Sequence, residues 1–406
     1  MLLALSWKNV WRNRMRSGVV ITSVALGLFG GVFSTGFMNG MARQTINDAV
    51  SIELSHIQIH EPSFSEEPLP SRIIPDADKI AALLRTTPDV VAVAIRGRVT
   101  AMIASAKTGS GVTVKGVIPE DEKTISSLPN HLTSGTWFEN GRKNEIVIGH
   151  KLAEKLDAKL KSRVVLTTQT MNGTLTGGAF KIAGIFQTHN STFDENNVFV
   201  RHTDLAQLLE IAGNATHEIA ILLPRYERSD SVAAQLRQMY PSLRIETWSQ
   251  IQPETGMMEG LMTQMMYLFV IIIMIALTFG IINTMLMAVL DRQHEFGMLM
   301  AVGMSKWRIF SMVMIETVFL AVIGGLAGMA MGGAAITLTG TTGIDLSIIS
   351  EGLAVLGYNP IVYPFIDTVF FAEVTIAVVV TGIVSSIYPA LKALGLNPAD
   401  AVRSKT

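Results

Sequence analysis

The chain has no cysteine among its 406 residues. That absence excludes disulfides, thiolate metal sites, a cysteine nucleophile and a lipidated N-terminal cysteine, and it leaves the redox compartment open. Charge is scarce too: Lys, Arg, Asp and Glu make up 16% of the chain with a balance of −1, which gives no footing for nucleic-acid binding. No G-x-x-x-x-G-K-[ST] stretch occurs and no Gly is followed directly by Lys, so the loop that cradles nucleotide phosphates is missing. H-E-x-x-H, G-x-S-x-G and paired Cys-x-x-Cys patterns are absent. His56 and His60 stand four apart, but in a strand-like stretch they do not share a helical face, which argues against a metal site. No catalytic residue, metal or cofactor is expected on this chain.

What is plentiful is apolar sequence, 49% of residues with a mean hydropathy of +0.39. Crossing a bilayer takes roughly 20 helical residues, and four segments qualify. Ser17 to Ala42, Leu261 to Leu290 and Val374 to Leu391 carry no charge, and Ile309 to Leu338 carries only Glu316. The first apolar run exceeds the roughly 7–15 residues of a signal-peptide core, and no A-x-A-like site follows it. Lys8, Arg12, Arg14 and Arg16, then Arg292, Lys306 and Arg308, then Lys392, Arg403 and Lys405 flank the spans on one side. The loop Gly340 to Asp367 has neither Lys nor Arg. The positive-inside rule puts both termini in the cytoplasm and the large insert outside.

The expected architecture is a polytopic α-helical membrane protein with four transmembrane helices and a large α/β extracytoplasmic domain between helices 1 and 2. Its parts are an interfacial amphipathic helix 1–16, helix 1 at 17–41, the extracytoplasmic domain at 42–262 and helix 2 at 263–290. A cytoplasmic coupling helix 291–308, helix 3 at 309–338, an outer loop 339–367, helix 4 at 368–391 and a tail 392–406 complete it.

At the N-terminus Leu3, Trp7, Trp11 and Met15 oppose Lys8, Arg12 and Arg16, as in a helix lying in the interface, although a plain topogenic charge cluster gives the same pattern. In the insert, strand-like and helix-like runs alternate, enough for two subdomains. Val164 to Met171 faces Thr174 to Phe186 across Asn172-Gly173, a two-residue hairpin signal. Gly27/Gly31, Gly36/Gly40 and Gly324/Gly328/Gly332 form ridges for close helix contact, within the chain or between protomers. Between spans two and three, Phe296, Leu299, Met300 and Gly303 share one helical face, with Arg292 and Glu295 as an i,i+3 pair. That face suits docking on a soluble partner or packing on headgroups, and periodicity alone does not choose.

The stretch from Asn283 through Asp291-Arg292, Glu295-Phe-Gly297 and Ala301-Val-Gly303 to Glu316 and Gly324-Gly325, with the end Tyr388-Pro389-Ala390 and Asn397-Pro398-Ala399, resembles the FtsX/MacB-type permeases of ABC transporters. In Met38-Asn39-Gly40, Val114-Lys-Gly116-Val-Ile-Pro119, Ile146-Val-Ile148-Gly149 and Ile182-Ala-Gly184 it further resembles the lipoprotein-releasing permeases LolC and LolE.

The resemblance implies a transport subunit rather than an enzyme, with ATP and Mg on two copies of a separate ABC ATPase. A second permease protomer, a lipoprotein substrate, membrane lipid and a periplasmic carrier are the other implied partners. Arg292, Glu295, Phe296, Gly297, Leu299, Met300 and Gly303 would receive the ATPase. Glu316 would serve coupling, bonded to Asn283 or the coupling turn. Val32, Phe33, Gly36 and Phe37 would face Met262, Met265, Met266 and Phe269 across a substrate cavity, where methionine adapts to acyl chains. In the family a long hairpin recruits the carrier; here Met171, Asn172 and Gly173 tip a short one, which counts against carrier binding. The implied function is extraction of lipoproteins from the outer leaflet of the inner membrane. MacB-type export and an FtsX-like scaffold activating a cell-wall hydrolase are the alternatives.

Overall fold

Four long apolar helices dictate the first of two structural units. In hydrocarbon every backbone polar group must be satisfied within its own segment, and only a helix does that without partners. The computed structural model describes residues 2–138, 142–211, 215–355 and 357–394, without the side chains of 258, 259, 351 and 355. The Asn397-Pro398-Ala399 motif, Arg403 and the tail from 395 on therefore lie outside the described residues, as does the Met258 side chain. The spans are helices Arg14–Ala49, Pro253–Asp291, Lys306–Thr342 and Thr368–Leu394. Each outruns its apolar stretch, because the hydrogen-bond ladder does not stop where hydropathy falls.

Residues 1–42, 260–345 and 361–406 make up this membrane unit. Its N-terminal helix Leu2–Arg12 buries Ser6, Asn9 and Val10, and the Ser6 hydroxyl donates to Met312 O of the third span at 3.3 Å. Leu3, Trp7, Trp11 and Met15 stay exposed. The glycine ridges resolve as contacts inside the chain. A Cβ on Gly324, Gly328 or Gly332 would meet Val24, Ala25 O or Val32 of the first span at 2.8, 2.5 and 2.8 Å. On a neighbouring face of that span, Gly27 and Gly31 admit Leu277 and Ile273 of the second.

The second unit, residues 43–259 with 346–360, is built on one ten-stranded sheet. Its strands are β1 (Ile57–His60), β2 (Ala92–Ala104), β3 (Gly109–Val117), β4 (Leu132–Gly135), β5 (Glu145–Gly149), β6 (Arg163–Gln169), β7 (Leu175–Phe186), β8 (Asn197–Arg201), β9 (Glu218–Leu222) and β10 (Arg244–Thr247). Part of what the sequence placed in a separate outer loop thus belongs with the insert. Pairings β2–β3, β3–β8, β8–β5, β5–β7, β7–β6 and β6–β2 close a six-stranded ring. All six strands supply one core, including Ile103, Val114, Ile148, Leu166, Ile182 and Val198. The first half of β2 instead pairs with β9, which leads to β1 and β10. There Ile59, Ile95, Ile219 and Ile245 form a second core under helices Ala77–Leu84 and Ser229–Met239. The expected two subdomains are two cores on one sheet, because the 13-residue β2 serves both.

Where the two halves meet, Arg96 is buried. Its guanidinium grips Glu122 at 2.7 and 3.0 Å and Glu218 at 3.1 Å, so the fork answers two carboxylates that burial alone would make costly. Nearby histidines are kept neutral. His56 Nδ1 accepts from the Leu223 N–H at 2.8 Å, and His217 Nδ1 accepts from the Arg98 N–H at 3.2 Å. Burial holds each imidazole down to about 4.

Two outcomes follow. Gly328→Ala, whose Cβ would press on a backbone oxygen, costs about 1–3 kcal/mol of stability and lowers the thermal midpoint of the purified chain, whereas Gly30→Ala, with nothing within 4 Å, leaves it unchanged. The histidines set an acid limit. With folded values near 4 against 6.5 unfolded, the unfolded chain binds these protons first, so their stabilisation is full above 6.5 and is lost as pH falls toward 4. Thermal unfolding followed across that window in wild type and His217→Phe checks it, the variant showing the shallower loss.

Candidate coupling site

An ionised carboxylate inside a span needs partners, and Glu316, 1% exposed, has two. Arg292 reaches its oxygens at 3.0 and 3.3 Å, and Arg16 reaches one at 3.1 Å. Arg292 also bonds Glu295 through Nε at 2.9 Å, and Glu295 pairs with Arg12. The result is an alternating series, Arg16, Glu316, Arg292, Glu295, Arg12. It links the N-terminal segment, the third span and the coupling helix Gln293–Ala301. Because Arg12 and Arg16 lie four apart in the sequence, the series returns to where it began. Burial opposes ionisation of Glu295, but hydrogen bonds from Arg12 and Arg292 outweigh it and hold this carboxyl below its usual range.

The local sequence explains the placement. Asn13 separates the N-terminal helix from the first span and its Oδ1 accepts from the Arg16 N–H at 3.5 Å, while the Ser17 hydroxyl donates to Val10 O. This turn brings Arg12 to Glu295 and Arg16 to Glu316, the two carboxylates that Arg292 joins. A guanidinium suits Arg292, whose planar fork serves Glu295 through Nε and Glu316 through Nη1 at the same time. Arg292 also lies 5.2 Å from the centroid of the Phe296 ring.

Other expectations are corrected. Asn283 does not bond Glu316; it is exposed and lines a groove of about 370 Å³ with Val20, Ser23, Gly27 and Leu277. Phe296 is 1% exposed and Gly297 is buried, and Leu299 and Met300 pack on the bundle core. The apolar face of the coupling helix therefore covers the chain's own spans rather than waiting for a partner. Met298 and Val302, 49% and 89% exposed, point the other way. Gly303 ends the helix with φ +99°.

The cavity set is also dispersed. Val32 and Gly36 meet Gly332 and Ile336 of the third span, Phe33 packs on the core, and Met266 is buried. Phe37 and Met262 are half-buried, and Met265 and Phe269 are exposed. The hairpin tip is a three-residue connection. Gly173, φ +77°, donates to Thr170 O at 3.0 Å while Thr170 donates to Thr174 O at 2.8 Å, a turn with a glycine bulge rather than the two-residue form. The Met171 N–H donates to Leu209 O at 3.2 Å. Among the described residues no group of three His, Cys, Asp or Glu is placed to hold a metal ion.

A bundle of four spans, an inserted α/β unit and a short helix held to the bundle by ion pairs is the layout of a membrane permease. The MacB-like periplasmic core domain family matches residues 17–239, more than half the chain, and the FtsX-like permease C-terminal family matches 267–398. The chain belongs to the FtsX-like ABC transporter permeases that carry a MacB-like periplasmic core domain. It is similar to the lipoprotein-releasing system transmembrane protein LolC of Neisseria meningitidis, at 25% identity over 75% of each chain. It is 37% identical to the macrolide export ATP-binding/permease protein MacB of Rhodopirellula baltica over 30% of this chain and 16% of that protein. Of solved structures it resembles the periplasmic region of MacB from Actinobacillus actinomycetemcomitans, at 12% identity over 52% of this chain and 98% of that one, with a TM-score of 0.36.

The buried and exposed ends of the ion series should differ in weight. Arg292→Met leaves Glu316 short of its main partner and costs about 3–5 kcal/mol, whereas Arg12→Met costs about 1 kcal/mol or less. Thermal unfolding of the two variants in one detergent compares them, and equal losses would refute the ranking.

Proposed function

We infer that the chain is the permease subunit of an ABC transporter that uses ATP hydrolysis on a partner ATPase to extract lipoproteins from the outer leaflet of the inner membrane for a periplasmic carrier. The observation that carries it is the closed Arg16–Glu316–Arg292–Glu295–Arg12 series, through which the coupling helix cannot shift without disturbing the N-terminal segment and the third span. Similarity to LolC over three quarters of both chains supports the substrate. Two ATPase copies, carrying ATP and Mg, dock on the outward side of the coupling helix in the cytoplasm, at Met298 and Val302, and a second permease protomer completes the membrane part. Both termini are cytoplasmic. The cavity for acyl chains forms against the exposed Met265 and Phe269.

A second reading, MacB-type export of a substrate already in the periplasm, has its own support: the higher identity of the shorter MacB match, and a hairpin tip too short and too tied to Leu209 for carrier capture.

Reconstitution with the cognate ATPase in proteoliposomes carrying an acylated lipoprotein tests these readings. Val302→Asp abolishes ATPase co-purification. Glu316→Gln keeps the ATPase bound but lowers lipoprotein release per ATP hydrolysed by roughly tenfold. If Glu316→Gln matches wild type in both assays, the coupling role is wrong. A complex that hydrolyses ATP and never releases the lipoprotein rules out the substrate and leaves the export reading.

A further inference from the structure

Beyond Ala49 the helix of the first span changes character. Val50–Leu54 form a π-turn closed by the Ser55 N–H donating to Val50 O at 2.8 Å, a rare geometry that concentrates at functional positions. Ser55 follows with φ 59° and ψ −179°, a region only glycine enters without strain. Its Oγ is buried and has no hydrogen-bond partner among the described residues, so its own side chain does not hold it there.

Its surroundings do. The last carbonyls of a helix lack donors of their own, and four successive ones are met from outside. Ser51 O accepts from the Ser127 N–H at 2.8 Å, Ile52 O from the Ser126 hydroxyl at 3.5 Å, Glu53 O from Arg96 at 3.2 Å and Leu54 O from the Gln58 amide at 2.7 Å. Lys115 lies 3.7 Å from the Glu53 carboxylate. Arg96 is itself fixed by Glu122 and Glu218, one on a helix beside the sheet and the other on β9. Val50 and Leu54 pack on Trp248, and Ile52 enters a separate cluster with Val117, Leu128 and Phe193. A strained segment is thus over-determined by contacts to the sheet.

A π-turn differs from an α-turn by one residue of register, about 1.5 Å along the helix and about 100° around it. We propose that Val50–Ser55 is a two-state joint. The π form with strained Ser55 is one state and a relaxed α form is the other; a turn or slide of the first-span helix converts them and passes the displacement through Arg96 and Lys115 into the ten-stranded sheet. Only the source of the displacement rests on the ATPase-driven reading above.

Hydrogen exchange of the full-length chain in nanodiscs, read on peptides covering 50–58, tests the joint. Ser55→Gly relieves the strain of the π form and slows exchange of the 51–55 amides three- to tenfold, roughly what release of such strain less the added freedom of glycine allows. Ser55→Ala keeps the Cβ, removes no hydrogen bond and exchanges like wild type. With the cognate ATPase added, the same peptides exchange differently in the nucleotide-free and ATP–vanadate states, and Ser55→Gly narrows that difference. The joint is overturned if the glycine and alanine variants exchange alike, or if the peptides ignore nucleotide while ATPase activity responds to the permease. If ATPase activity does not respond to the permease at all, the transporter reading fails, and the glycine–alanine comparison still decides the joint.

Discussion

The structure of the membrane unit turns on one carboxylate. Glu316 sits within the third span, and hydrocarbon gives it no water, so ionisation demands cations close by. The chain supplies them from two directions, Arg16 at the start of the first span and Arg292 just beyond the second. Meeting that demand fixes much else: the break at Asn13, the position of the coupling helix, and the burial of Phe296 beneath Arg292. A hydrophobic residue at 316 would pack as well and leave these segments independent. The cost of burying charge is what makes their positions interdependent.

In the outer unit Arg96 plays a comparable part with different geometry. It stands on β2 where the neighbouring strand changes from β9 to β6, the point at which one sheet turns from supporting the open layer to closing the ring. Its carboxylate partners are Glu218 on β9 and Glu122 on the helix Pro119–Ile125, which packs against β2 and β9. The change of neighbour is thus marked by a buried polar cluster between two apolar cores, and β2 runs through both.

Much of this was legible in the sequence, for a physical reason. Spans, turn signals and alternating strands are local patterns, and the two strands that face each other across Asn172-Gly173 are legible from them. Glu316 announced itself as a lone charge in an apolar run. Its partner Arg16 did not, because it lies 300 residues away and carries the same signal as any topogenic cluster. The coupling helix shows the other limit. Periodicity showed that Phe296, Leu299 and Met300 share a face, but an apolar stripe reads the same toward a partner or toward the chain's own core. Closure of the ring was hidden as well, since β2 and β6 pair over only three positions across some 60 intervening residues.

The glycine contacts of the first span have a mechanical meaning. One face lies backbone-close to the third span at Gly324, Gly328 and Gly332, and another receives Leu277 and Ile273 of the second at Gly27 and Gly31. A helix held on two neighbouring faces, with Val19 and Leu26 exposed on the rest of it, has lost sideways travel toward either partner. Travel along its axis and rotation about it slide past both contacts, so these are the motions that such packing obstructs least.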